Sequence, residues 1–72
     1  KVLYIEGNGI TKIEGFEANV KLRCLYLQEN AISVIENLHF LQDLRILNLD
    51  DNCITKIENL GCLPLLETLQ IK

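Results

Sequence analysis

Cationic side chains are scarce in these 72 residues, with seven Lys and Arg against ten Asp and Glu, a formal net charge of −3 and a pI near 4.9. That balance excludes non-specific binding to nucleic acid or to anionic membranes, since both need a cationic field, and it accommodates a basic partner. No apolar run approaches ~18 residues, so no transmembrane span is legible, and no signal peptide is either. Histidine occurs once, at His39. The carboxylates recur by spacing and do not converge, so the chain reads as a non-enzyme. Cys24, Cys53 and Cys62 are odd in number and lack the C-x-x-C spacing of a zinc site. No metal or cofactor is expected, and the three thiols read as reduced, small hydrophobes in a cytosolic compartment. Gly7-Asn8-Gly9 opens like a phosphate-binding loop, but Lys12 stands where the third glycine is needed.

What the chain has in quantity is regularly spaced aliphatics. From Leu44 it reads Leu44-x-x-Leu47-x-Leu49-x-x-Asn52-x-Ile54-x-x-Ile57-x-x-Leu60-x-x-Leu63-x-x-Leu66. The same chemistry stands about 22 residues earlier, twice. Leu47 falls on Leu25 and Leu3, Leu49 on Leu27 and Ile5, Asn52 on Asn30 and Asn8, and Ile57 on Ile35 and Ile13. Leu69 and Ile71 open a fourth copy.

Around Leu47 and Leu49 the apolar positions alternate with period two, the pattern of a short half-buried strand. After the Asn the spacing widens to three, which suits 3₁₀-like or irregular turns. Strands are expected over residues 1–6, 24–28, 46–50 and 68–72. One copy cannot bury its apolar side alone, whereas stacked copies share a continuous core. The expected architecture is an α/β repeat: a right-handed solenoid with a concave parallel β-sheet and 3₁₀ or irregular convex returns. Residues 1–72 form one segment of about three repeats plus a fourth strand. Leu3, Ile5, Ile10 and Ile13 at one end, with Leu69 and Ile71 at the other, are expected to face water. Because terminal repeats need polar outer faces, the segment reads as an excerpt of a longer array.

Asn8, Asn30 and Asn52 stand where the chain leaves each strand, and their amides are expected to turn inward as a structural ladder serving backbone groups of their own and the adjacent coil. Asn37 and Asn59, matched by Gly15, are expected to cap the return turns by satisfying free amides. Asn19 replaces Leu41 and Leu63, and Val20 is expected to turn inward there. Glu14, Glu36 and Glu58 form a solvated column, and His39 is expected to be exposed.

Outward strand positions stack into columns on the concave side. Val2, Cys24 and Ile46 make the first, Tyr4, Tyr26 and Asn48 the second, and Glu6, Gln28 and Asp50 the third, with Glu29 and Asp51 on the edge beside it. These residues form a candidate protein-binding face, apolar and aromatic at its centre and acidic at its margin of Glu6, Glu29, Asp50 and Asp51. It suits a partner carrying aliphatic anchors beside Lys or Arg. The competing reading is ordinary cross-strand packing on a tolerant surface.

The pattern LxxLxLxxNxIxxIxxLxxLxx resembles the 22-residue class of leucine-rich repeats typified by the regulatory subunit of protein phosphatase 1, and the resemblance covers all 72 residues. More narrowly, the segments Glu6–Ile10, Lys12–Gly15, Leu22–Gln28, Lys56–Leu60 and Leu66–Gln70 are similar to the axonemal dynein assembly factor 1 family. That similarity implies a non-catalytic scaffold for cytoplasmic preassembly of dynein arms of motile cilia or flagella. Dynein chains, chaperones or co-assembly factors are the implied partners. A phosphatase catalytic subunit is the alternative, and tubulin a third. No individual binding residue carries over from either family.

Overall fold

The computed structural model describes residues 1–72 and contains four short strands, β1 (Val2–Tyr4), β2 (Cys24–Tyr26), β3 (Ile46–Asn48) and β4 (Thr68–Gln70). They form one parallel sheet in sequence order, and Leu3, Leu25, Leu47 and Leu69 lie side by side in it. The repeat offset is therefore the sheet register. Each coil comprises a strand and its return: coil 1 is residues 1–21, coil 2 is 22–43 and coil 3 is 44–65.

The strands are shorter than the sequence spacing predicts, although amide-to-carbonyl pairing between coils runs on past them. Leu27 N donates to Asn48 O at 2.9 Å and Glu29 N to Asp50 O at 2.9 Å. Extension ends where the backbone enters the left-handed region, at Gly7, Glu29 and Asp51 with φ of 68°, 60° and 58°. That conformation costs an L side chain roughly 1–2 kcal/mol unless it is Gly, or to a lesser degree Asn or Asp.

The returns contain no helix of either kind and turn through paired three-residue steps. Leu41 N donates to Leu38 O at 2.9 Å and Leu44 N to Leu41 O at 3.1 Å, and the same steps recur at 16–19–22 and 60–63–66. Each step places its apolar residue on the inner side, which is why a spacing of three serves here. Asn19 keeps both of these bonds, with Phe16 O and with Leu22 N. The turn therefore holds its frame without a leucine, and Val20 stays 51% exposed instead of turning inward.

All 13 buried residues are hydrophobic, and they form one cluster. Coil 2 is buried at every aliphatic repeat position, from Leu22 and Leu25 through Ile32, Ile35, Leu38 and Leu41. At the first coil, Leu3, Ile5 and Ile10 are half-buried and line an open apolar depression of about 400 Å³. Ile13 departs from the expectation of exposure: it is 1% exposed and belongs to the core with Phe16, whose ring is larger than the leucines of its column. Ile57 departs the other way, at 66% exposed, in a coil that has a return stacked on one side of it. No helix is long and apolar enough to cross a membrane.

Candidate protein-interaction face

Two asparagine columns hold the coils in register. Asn30 lies half-buried where the chain leaves β2, and its amide joins two coils at once. Its Oδ1 accepts from Asn8 N and Ile10 N, each at 3.0 Å, while its Nδ2 donates to Ile5 O and Leu27 O at 2.9 Å and to Gln28 O at 3.3 Å. Asn52 repeats this one coil later, accepting from Ile32 N at 3.0 Å and donating to Leu27 O, Leu49 O and Asp50 O at 2.9, 3.1 and 3.2 Å. Every inter-coil bond of the pair points back to the preceding coil. Asn8 does not turn inward; it is exposed and its amide reaches only Glu6 O, at 3.2 Å.

The second column corrects a sequence expectation. Asn37 and Asn59 do not cap turn amides. Both take the left-handed conformation at φ 60°, and their Nδ2 groups donate to Ile13 O at 2.8 Å and Ile35 O at 2.6 Å, again one coil back. Gly15 holds the equivalent place in coil 1 at φ 85°. The recurring Asn and Gly are thus explained first by the backbone conformation and then by the donor that Asn adds.

Neither column uses a side chain from the outer face of the sheet. None of Val2, Tyr4, Glu6, Cys24, Tyr26, Gln28, Glu29, Ile46, Asn48, Asp50 and Asp51 is buried. Val2 and Tyr4 are 51% and 63% exposed. The Tyr4 and Tyr26 rings stack with centroids 4.6 Å apart and planes 7° from parallel. Cross-strand pairing thus preorganises two aromatic rings into one flat apolar panel, with Cys24 and Ile46 half-buried beside it. At the far end of the strands Asn48 Oδ1 accepts from Asp50 N at 2.9 Å, holding the chain as it turns toward Asp51. Gln28 Oε1 and Asp50 Oδ1 are themselves buried and have no hydrogen-bond donor.

A further column was not singled out from sequence. Lys1, Arg23, Arg45 and Glu67 stack immediately before the strands, because the carbonyls of Lys1, Arg23 and Arg45 each take two amides of the next coil. Lys1 O accepts from Arg23 N at 2.9 Å and Cys24 N at 3.1 Å, and Arg23 O from Arg45 N at 2.8 Å and Ile46 N at 3.1 Å. Arg45 Nη1 meets Glu67 Oε2 at 2.8 Å across neighbouring coils. Extending the strand columns by one position finds this row in the sequence.

The remaining chemistry-bearing residues scatter. All three cysteines are free; Cys62 packs against the core and donates to Asn59 O at 3.3 Å, and Cys24 is half-buried. Cys53 is exposed instead of acting as a small hydrophobe, since its column of Gly9 and Ala31 lies on the outer side of the turn. His39 is exposed against Phe40, ring centroids 4.0 Å apart. No group of three or more His, Cys, Asp or Glu comes together in a way that could hold a metal. Lys56 and Glu58 pair at 3.5 Å on the return side.

A family model described as Leucine Rich repeats (2 copies) matches residues 20–60. No curated protein and no solved structure matches the chain significantly.

Proposed function

The chain belongs to the leucine-rich repeat family, and from that premise we propose that its outer sheet face is the working surface of a non-catalytic scaffold in the cytoplasmic preassembly of axonemal dynein arms. The family supplies the coarse part, a protein-interaction module. The observation that carries the choice of surface is the stacked Tyr4–Tyr26 panel, with Tyr4 exposed and Tyr26 half-buried, beside Val2 and Ile46. A sheet that merely closes a fold has no need of a flat aromatic pair on its solvent side, and tyrosine is enriched where binding energy concentrates. The choice of pathway rests on the similarity of Leu22–Gln28 and Leu66–Gln70 to the dynein assembly factor family. That reading sets the chain to work in the cytoplasm, with its product destined for the cilium or flagellum.

The test is capture of dynein chains and their assembly factors by the full chain and by its Tyr26→Ala, Ile46→Ala double variant. Loss of a central anchor pair is expected to weaken capture by at least about tenfold. A variant that remains folded and captures these proteins unchanged contradicts the assignment of the face. Capture of a phosphatase catalytic subunit or of tubulin in place of dynein components keeps the face and replaces the pathway.

A further inference from the structure

We propose that the partner segment is a short amphipathic helix lying across the strands, with an acidic row on one flank and a basic row on the other. This rests on the reading of the outer sheet face as the binding surface and adds what that surface selects. The face has two unlike margins. Before the strands stand Lys1, Arg23 and Arg45, in the register fixed by their carbonyls. After the strands stand Glu29, Asp50 and Asp51. The molecule's ion pairs are Arg45–Glu67 and Lys56–Glu58, so Arg23 and all three of these acids have no partner of opposite charge within the chain.

Size decides what fits between the margins. From Arg23 to Glu29 the chain spans at most roughly 20 Å, and a helix with its side chains is about 10–12 Å across. One helix lies in that channel, and two do not. Strands stack at ~4.8 Å while a helix rises 5.4 Å per turn, so successive turns of a crossing helix meet successive strands. Its apolar row covers Tyr4, Tyr26 and Ile46, its Lys or Arg row faces the acids, and its Asp or Glu row faces Arg23. An extended segment lying along one strand meets only one member of each charged column. The polarity holds through the first three coils and reverses at the fourth, where Glu67 and Lys72 stand, so the footprint is two to three turns long.

Three synthetic helical peptides of about 18 residues, sharing one leucine row, test this on the full chain. One carries Lys on one flank and Glu on the other, the second Lys on both, and the third Glu on both. The mixed peptide is expected to bind roughly three- to tenfold more tightly than the all-Lys peptide, with the all-Glu peptide weakest. Arg23→Glu is expected to invert the order of the first two. An all-Lys peptide that equals the mixed one, an order unmoved by Arg23→Glu, or binding of none of the three overturns the helix inference and leaves the face itself standing. Peptide binding that is unaffected by Tyr26→Ala with Ile46→Ala puts the peptides elsewhere and overturns both.

Discussion

Coil 2 and coil 3 carry nearly the same repeat and meet opposite fates. Ile35 is 0% exposed and its counterpart Ile57 is 66% exposed. Within coil 3 itself Leu47 and Leu49 are fully buried beneath β4, while in the return Ile54 and Leu60 are only half-buried and Leu63 alone is buried, at 5% exposed. Burial at the position of Ile35 and Ile57 therefore differs with the coil stacked after it: Ile13 and Ile35 each have a following return and are 1% and 0% exposed, whereas Ile57 has none, as expected when each repeat contacts only the adjacent ones. The asparagine columns obey the same rule. Asn30 has a coil behind it and makes five side-chain hydrogen bonds, whereas Asn8 makes one.

The sharpest way to break this comparison is in the strand column. Leu25→Ala leaves a cavity with coils on both sides and is expected to cost roughly 3–5 kcal/mol, against about 1–2 kcal/mol for Leu69→Ala at the half-buried edge. Chemical denaturation of the two variants measures the difference. Next comes Asn30→Ala, expected to cost about 1–3 kcal/mol by stranding the amides of Asn8 and Ile10 and the carbonyl of Ile5. Asn8→Ala is expected to stay within about 0.5 kcal/mol. Equal urea midpoints for those two variants end the claim that the ladder reaches backward.

The smallest effect sharpens the comparison in the other direction. Glu29 and Asp51 share the left-handed turn at φ 60° and 58°. Aspartate tolerates that conformation better than glutamate, and glycine better than both. Glu29→Gly is expected to stabilise by about 0.5 kcal/mol once the greater chain entropy of glycine is subtracted, and Asp51→Gly by less. A loss at Glu29 places the cost of the turn elsewhere than in the backbone.

Much of this was legible in the residues. The offset that aligns Leu3, Leu25, Leu47 and Leu69 is the sheet register itself, because an error of one residue would have turned every leucine to water. The turn spacing of Leu38, Leu41 and Leu44 was equally plain. Ile57 was not, since a repeat pattern states which side a residue faces and not whether another coil covers it. Val20 escaped because the backbone bonds of the turn hold their frame without a leucine at Asn19. Asn37 and Asn59 were misread as caps because a left-handed backbone and a donor to the previous coil leave the same sequence mark as a turn. On the outer face the tyrosine columns could be read from spacing, but their stacking needed coordinates. The cationic margin was hidden in a net negative charge and emerges only when Lys1, Arg23 and Arg45 are seen as one column.

The central claim is that each coil is completed by its neighbours, which leaves the outer sheet face free for a partner. Urea unfolding of Ile35→Ala beside Ile57→Ala tests it most directly. The account predicts a loss of roughly 2–5 kcal/mol for Ile35→Ala and about 0.5 kcal/mol or less for Ile57→Ala. Equal losses would contradict it, since residue type and repeat position would then count for more than the coil stacked beside them.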